Sequence, residues 1–81
     1  MTADEIKRRL VSHLAKIASD VDVGTIDENA DLRDELDIDS LDFLRFMKAI
    51  KEDLGVAVPE EDYAKVRSLA GAAAYVAAKK A

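Results

Sequence analysis

The stretch Asp37-Ile38-Asp39-Ser40-Leu41-Asp42-Phe43-Leu44-Arg45-Phe46-Met47-Lys48-Ala49-Ile50-Lys51-Glu52-Asp53-Leu54-Gly55 decides the fold. Phe43, Met47, Ile50 and Leu54 recur at helical spacing, widened by Leu44 and Phe46, so the segment reads as an amphipathic helix over about 40–54. Gly55 stands where a helix C-terminus wants a left-handed residue. At the other end Asp39 is a good N-cap and Asp42 falls near the first turn. Ser40 is therefore expected at the first helical position, outside the core and at the positive end of the helix dipole.

The same periodicity recurs upstream, in Ile6, Leu10, Leu14 and Ile17, with Lys7, Arg8, Arg9 and Lys16 on the opposite face. A first helix over about 3–18 is predicted, with Thr2 and Glu5 as its capping box. The run Ser19 to Gly24 breaks the pattern, and Thr25 to Asp39 reads as a long loop anchored in the core by Ile26, Leu32, Leu36 and Ile38. Downstream, Pro59 followed by Glu60, Glu61 and Asp62 announces a short helix over about 60–65, with the proline early and acids in its first turn. Ser68 then caps a last helix through Leu69, Ala72, Ala73 and Val76 that ends in Lys79 and Lys80. The expectation is an all-α protein: a small four-helix bundle of three longer helices and one short one, forming one domain over 1–81.

Composition narrows the function. A chain of 81 residues has no room for a deep catalytic cleft, and without cysteine neither a disulfide framework nor a thiolate zinc site supports the fold. The formal charge of -5 argues against nucleic acid as a partner. No segment reaches the length of an apolar membrane span, and the opening Met1-Thr2-Ala3-Asp4-Glu5 lacks the order of an export signal, so a cytoplasmic protein with no membrane insertion is expected. The acidity is focal. Residues 27–42 hold eight acids and one base, Arg33, a local charge of -7, while the other 65 residues carry nine acids and eleven bases, or +2. Such a run is either a solvated loop or a docking surface that steers basic partners. Asp37 and Asp39 alternate as in a calcium loop, but the next ligand position falls on Leu41 and no glycine or terminal glutamate follows at EF-hand spacing. No metal site is assigned.

Ser40 sits at the centre of this run. A helix N-terminus offers free N–H groups and a favourable dipole to an anion, which suits a serine carrying a phosphate ester. The order of a first helix, an acidic loop, Asp39-Ser40-Leu41-Asp42 opening an apolar helix, then Val58-Pro59-Glu60-Glu61-Asp62 and an Ala-rich last helix resembles the acyl carrier proteins over essentially the whole chain. The resemblance implies a carrier and not an enzyme. It implies that Ser40 receives 4'-phosphopantetheine covalently from coenzyme A through a holo-synthase, a phosphopantetheinyl transferase, and that acyl groups ride on the terminal thiol as thioesters. The reactive sulfur would then come from the prosthetic group, in keeping with a chain that has no cysteine. Asp39 would support the attachment as well as cap the helix. Asp37, Leu41, Asp42, Arg45 and Lys48 would meet the acyl-loading and acyl-transferring enzymes, with the carrier a monomer serving fatty-acid, lipid or polyketide-type synthesis.

Two departures from the family pattern stand out. Asp37 replaces the glycine usual two residues before the motif's Asp, so the loop before Ser40 is expected to differ in shape. Arg45, Lys48 and Lys51 interrupt the acidic face of the second helix, which points to a dedicated pathway, although helical pairing with Asp42 and neighbouring acids would also account for them. His13 is expected to have no role, Phe43, Phe46 and Met47 to lie in the core, and Tyr63 and Tyr75 to be edge residues with wet hydroxyls. Three other readings compete. An aminoacyl or peptidyl carrier would show a Gly-Gly-His-Ser-Leu type motif, an unmodified helical adaptor would use the acidic patch alone, and a serine hydrolase would need a general base that no motif spacing supplies.

Overall fold

A computed structural model of the chain describes residues 1–19 and 22–80, so Asp20 and Val21 of the expected break and the terminal Ala81 lie outside the described residues. Four α-helices, α1 (Ala3–Ile17), α2 (Leu32–Glu35), α3 (Ser40–Leu54) and α4 (Leu69–Lys80), are joined by 3-10 segments at Val23–Thr25 and Glu60–Val66. No strand occurs among the described residues.

Each long helix is delimited by its predicted signals. Thr2 Oγ1 accepts the Glu5 N–H at 3.2 Å, and α1 buries Ile6, Leu10 and Leu14. Asp39 caps α3 by accepting the Asp42 N–H at 2.9 Å, while Gly55 closes it at φ 71° with its N–H on the Lys51 carbonyl. Ser68 Oγ accepts the Gly71 N–H at 3.0 Å, and α4 turns Leu69, Ala72, Ala73 and Val76 inward. These small alanines let α1 lie along α4, its most extensive helix contact. The expected short helix is of 3-10 type and runs over Glu60–Val66, with Pro59 just ahead of it as the N-cap residue at ψ 155°, in line with the reading over about 60–65.

The core joins Ile6, Leu10 and Leu14 to Phe46, Ile50, Leu54, Val66 and Val76, all essentially fully buried. Each such side chain contributes roughly 1.5–3 kcal/mol by leaving water, so this cluster is the main stabilising force. One residue of the expected apolar stripe lies elsewhere: Leu44 is 46% exposed.

The segment read as a long loop contains α2. Asp31 accepts the Arg33 N–H at 2.9 Å and starts this single turn, and Leu32, Leu36 and Ile38 are buried as the anchors predicted. Two backbone hydrogen bonds sew the segment to the far end of the chain, from the Leu32 N–H to the Arg67 carbonyl at 2.7 Å and from the Ala70 N–H to the Glu28 carbonyl at 2.8 Å. With its polar backbone satisfied in this way, the segment packs instead of hanging free.

Two side chains have roles the sequence did not reveal. His13 Nε2 lies 2.8 Å from Asp53 Oδ2, and Arg9 Nη1 donates to Asp53 Oδ1 at 2.8 Å, so His13 helps clasp α1 to α3. The Tyr75 hydroxyl is not simply wet, because it donates to Asp62 Oδ2 at 2.6 Å.

Candidate functional site

Ser40 is the first residue of α3 and is exposed. Its placement follows from the cap: the Asp39 carboxylate takes the Asp42 N–H, and the Phe43 N–H returns to the Asp39 carbonyl. The Ser40 and Leu41 N–H groups have no intrahelical acceptor and point out of the helix end. Immediately upstream, Asp37 stands at φ 51°, in the left-handed region. Asp37 thus takes the backbone conformation a glycine would take most readily, and Asp is among the few side chains that tolerate it.

Ser40 opens onto a cleft of about 230 Å³. Phe43, Leu44 and Tyr63 form its apolar side, with the Phe43 and Tyr63 rings edge to face at 5.5 Å between centroids. Arg33, Arg67 and Glu60 supply its polar side. The other residues singled out in the sequence are distributed around this centre. Leu41 is 58% exposed beside the serine. Asp37 and Asp42 line a different recess of about 220 Å³ with Ile17, Leu36 and Ile38. Further along α3, the Arg45 side chain is 65% exposed and pairs with Asp42 at 3.3 Å, and the Lys48 side chain is 75% exposed and pairs with Glu52 at 3.9 Å. These are the in-helix pairs anticipated for them.

Sequence reasoning missed Arg33, Glu60, Tyr63 and Arg67 as neighbours of Ser40. No local pattern marks them, because only the docking of the 25–39 segment and the 3-10 helix brings them together.

The chemistry open to this site is that of an acceptor. His13 is engaged with Asp53. Thirteen residues of helix separate Asp53 from Ser40, about 20 Å, so this imidazole cannot serve Ser40 as a base. Among the described residues no three His, Asp or Glu side chains converge to hold a metal ion. An exposed hydroxyl, unpaired first-turn N–H groups and an adjoining open cleft do fit a phosphodiester-linked arm on Ser40.

The family described as "Phosphopantetheine attachment site" matches residues 8–76. The acyl carrier protein of Zymomonas mobilis subsp. mobilis is 34% identical over 80 residues, covering 99% of this chain and 96% of that protein. The acyl carrier protein of Lactobacillus acidophilus is 26% identical over 76 residues, 94% of each chain.

Proposed function

The chain belongs to the acyl carrier proteins, and from that premise we propose that Ser40 is the residue that bears its 4'-phosphopantetheine. Members of this family carry acyl groups and work with synthase and transferase enzymes; they are not catalysts themselves. When bound, the arm supplies the thiol on which acyl groups travel as thioesters.

The observation that carries the assignment is the exposure of Ser40 at the head of a capped helix, on the rim of a cleft. In attachment, the Ser40 oxygen bonds to the pantetheine-side phosphorus of coenzyme A as the pyrophosphate P–O bond breaks, adenosine 3',5'-bisphosphate leaves, and the hydroxyl proton passes to a base of the transferase. Asp39 supports the attachment by fixing the helix start on which Ser40 stands, because its carboxylate holds the first turn closed through the Asp42 N–H. Leu41, with its exposed apolar side chain, and the flanking Asp37, Asp42, Arg45 and Lys48 form the surface that enzymes meet. On this reading the chain is one carrier domain over 1–81, a cytoplasmic monomer serving fatty-acid, lipid or polyketide-type synthesis, and the basic interruption of α3 ties it to a dedicated pathway.

Intact-mass spectrometry of protein coexpressed with a phosphopantetheinyl transferase tests the attachment. One added arm is expected on the wild type and none on Ser40→Ala, with circular dichroism unchanged between the two because the hydroxyl supports no part of the core. An arm retained by Ser40→Ala, or a wild type that never gains one, would sink the assignment, and the latter would favour an unmodified adaptor.

A further inference from the structure

Arg33 and Arg67 are 34 positions apart in sequence, yet both line the cleft that Ser40 opens onto. Their convergence is built into the backbone, because the Leu32 N–H, one residue before Arg33, donates to the Arg67 carbonyl at 2.7 Å. Neither guanidinium lies within 4.0 Å of a carboxylate among the described residues, although Arg33 is the lone base in a segment with eight acids. Lys7, Arg9, Arg45, Lys48 and Lys65, in contrast, are all engaged in ion pairs. Glu60 lines the same cleft without pairing with either arginine.

From this we propose, resting on Ser40 as the attachment point, that Arg33 and Arg67 clamp the phosphodiester joining the arm to Ser40 and so lay the arm across the cleft against Phe43 and Tyr63. A phosphodiester on the Ser40 oxygen joins Asp39 and Asp42, its neighbours at the start of α3, and Glu60 on the cleft, and like charges that close are within a Debye length of roughly 8–10 Å. Two guanidinium groups offset that repulsion, and their planar forks suit paired phosphate oxygens better than an ammonium does. The covalent tether keeps the anion at high effective concentration beside them. Exposed ion pairs shift populations by roughly two- to fivefold, so the clamp biases the arm toward the cleft and still lets it swing out to an enzyme.

The test uses holo protein loaded from coenzyme A, with loading checked first by intact mass. A wild type that cannot be loaded would overturn the attachment at Ser40, and this proposal with it, before any spectrum is taken. On loaded protein, NMR cross-peaks between the gem-dimethyl protons of the arm and the ring protons of Phe43 and Tyr63 are expected, together with a phosphorus resonance that moves with salt. In the R33Q/R67Q variant the cross-peaks should fall roughly two- to fivefold. In R33K/R67K the loss should be smaller, and in R8Q/K16Q, which removes the same charge from exposed positions on α1, there should be none. Raising salt on the wild type should reproduce the loss without any mutation. Cross-peaks absent from loaded wild type, equal in the wild type and R33Q/R67Q, or lost equally in R8Q/K16Q would each overturn the clamp while leaving Ser40 as the attachment point.

Discussion

At the scale of single residues, the approach to Ser40 turns on Asp37. A left-handed conformation costs an L-residue roughly 1–2 kcal/mol, less for Asp, whereas glycine adopts it freely but loses more entropy on folding. The site therefore keeps its shape at a small penalty, and identity at this position sets the size of that penalty. Asp37→Gly is expected to match the wild type or gain up to about 1 kcal/mol, and Asp37→Val, β-branched, to lose about 1–2 kcal/mol. Urea denaturation midpoints of the three proteins check the order; a valine variant as stable as the glycine one would mean that the positive φ is not enforced. The sequence alone marked Asp37 as unusual but did not show that it stands at positive φ. Residue type constrains φ only weakly, and the packing of Leu36 and Ile38 on either side, both buried, fixes it here.

Among elements, α1, α3 and α4 were legible because their information is local: a stripe at helical spacing, a capping side chain at the start, and Gly55 or terminal lysines at the end. The four residues of α2 were not legible, since a single turn has no period to detect and owes its existence to bonds with residues over 30 positions away. For the same reason the arginine pair in the cleft was invisible. Gly71 shows a second long-range constraint, where α4 starts against the 3-10 helix Glu60–Val66. A Cβ there would stand 2.5 Å from the Lys65 carbonyl oxygen, which is backbone and cannot swing aside. Gly71→Ala should cost about 1–3 kcal/mol despite alanine's better helix propensity, read as a fall in thermal midpoint. The clasp between α1 and α3 responds to pH. The hydrogen bond from His13, above all, and the charge of Arg9 hold the Asp53 carboxyl below its ordinary range despite an opposing desolvation. Folding thus favours the ionised form. The clasp's contribution is complete above the ordinary Asp range near pH 4 and is lost as pH falls through the lower native value. The stability gap between wild type and Asp53→Asn should therefore be open at pH 6 and narrow at pH 3, and a gap of constant width across that range would show that the carboxylate charge is not what clasps the helices.

The whole molecule is electrically lopsided, with -7 on residues 27–42 and +2 on everything else. Ser40 lies inside the acidic run, yet the exposed face of α3 that leads away from it carries Arg45, Lys48 and Lys51. A basic enzyme drawn in by the acids therefore meets like charge one to three helical turns from the serine. Arg45 and Lys48 are partly neutralised by Asp42 and Glu52, but both side chains remain more than 60% exposed, so their fields reach an approaching surface. Misplaced like charge at an interface slows encounter and costs up to several kcal/mol, and it acts more on the wrong partner than on the right one. Changing Arg45, Lys48 and Lys51 together to Glu should raise the kcat/KM of an acyl-transferring enzyme that docks through basic residues by about tenfold or more at low salt, with the gain shrinking as salt is added. The substitutions spare Phe43, Met47, Ile50 and Leu54, all buried, and turn two in-helix pairs into like-charge ones at a few tenths of a kcal/mol each, so the fold should persist. Equal efficiency for wild type and the triple variant would end the case for a dedicated pathway without touching the attachment at Ser40. A gain insensitive to salt would mean that the lysines and arginine act by shape and not by charge.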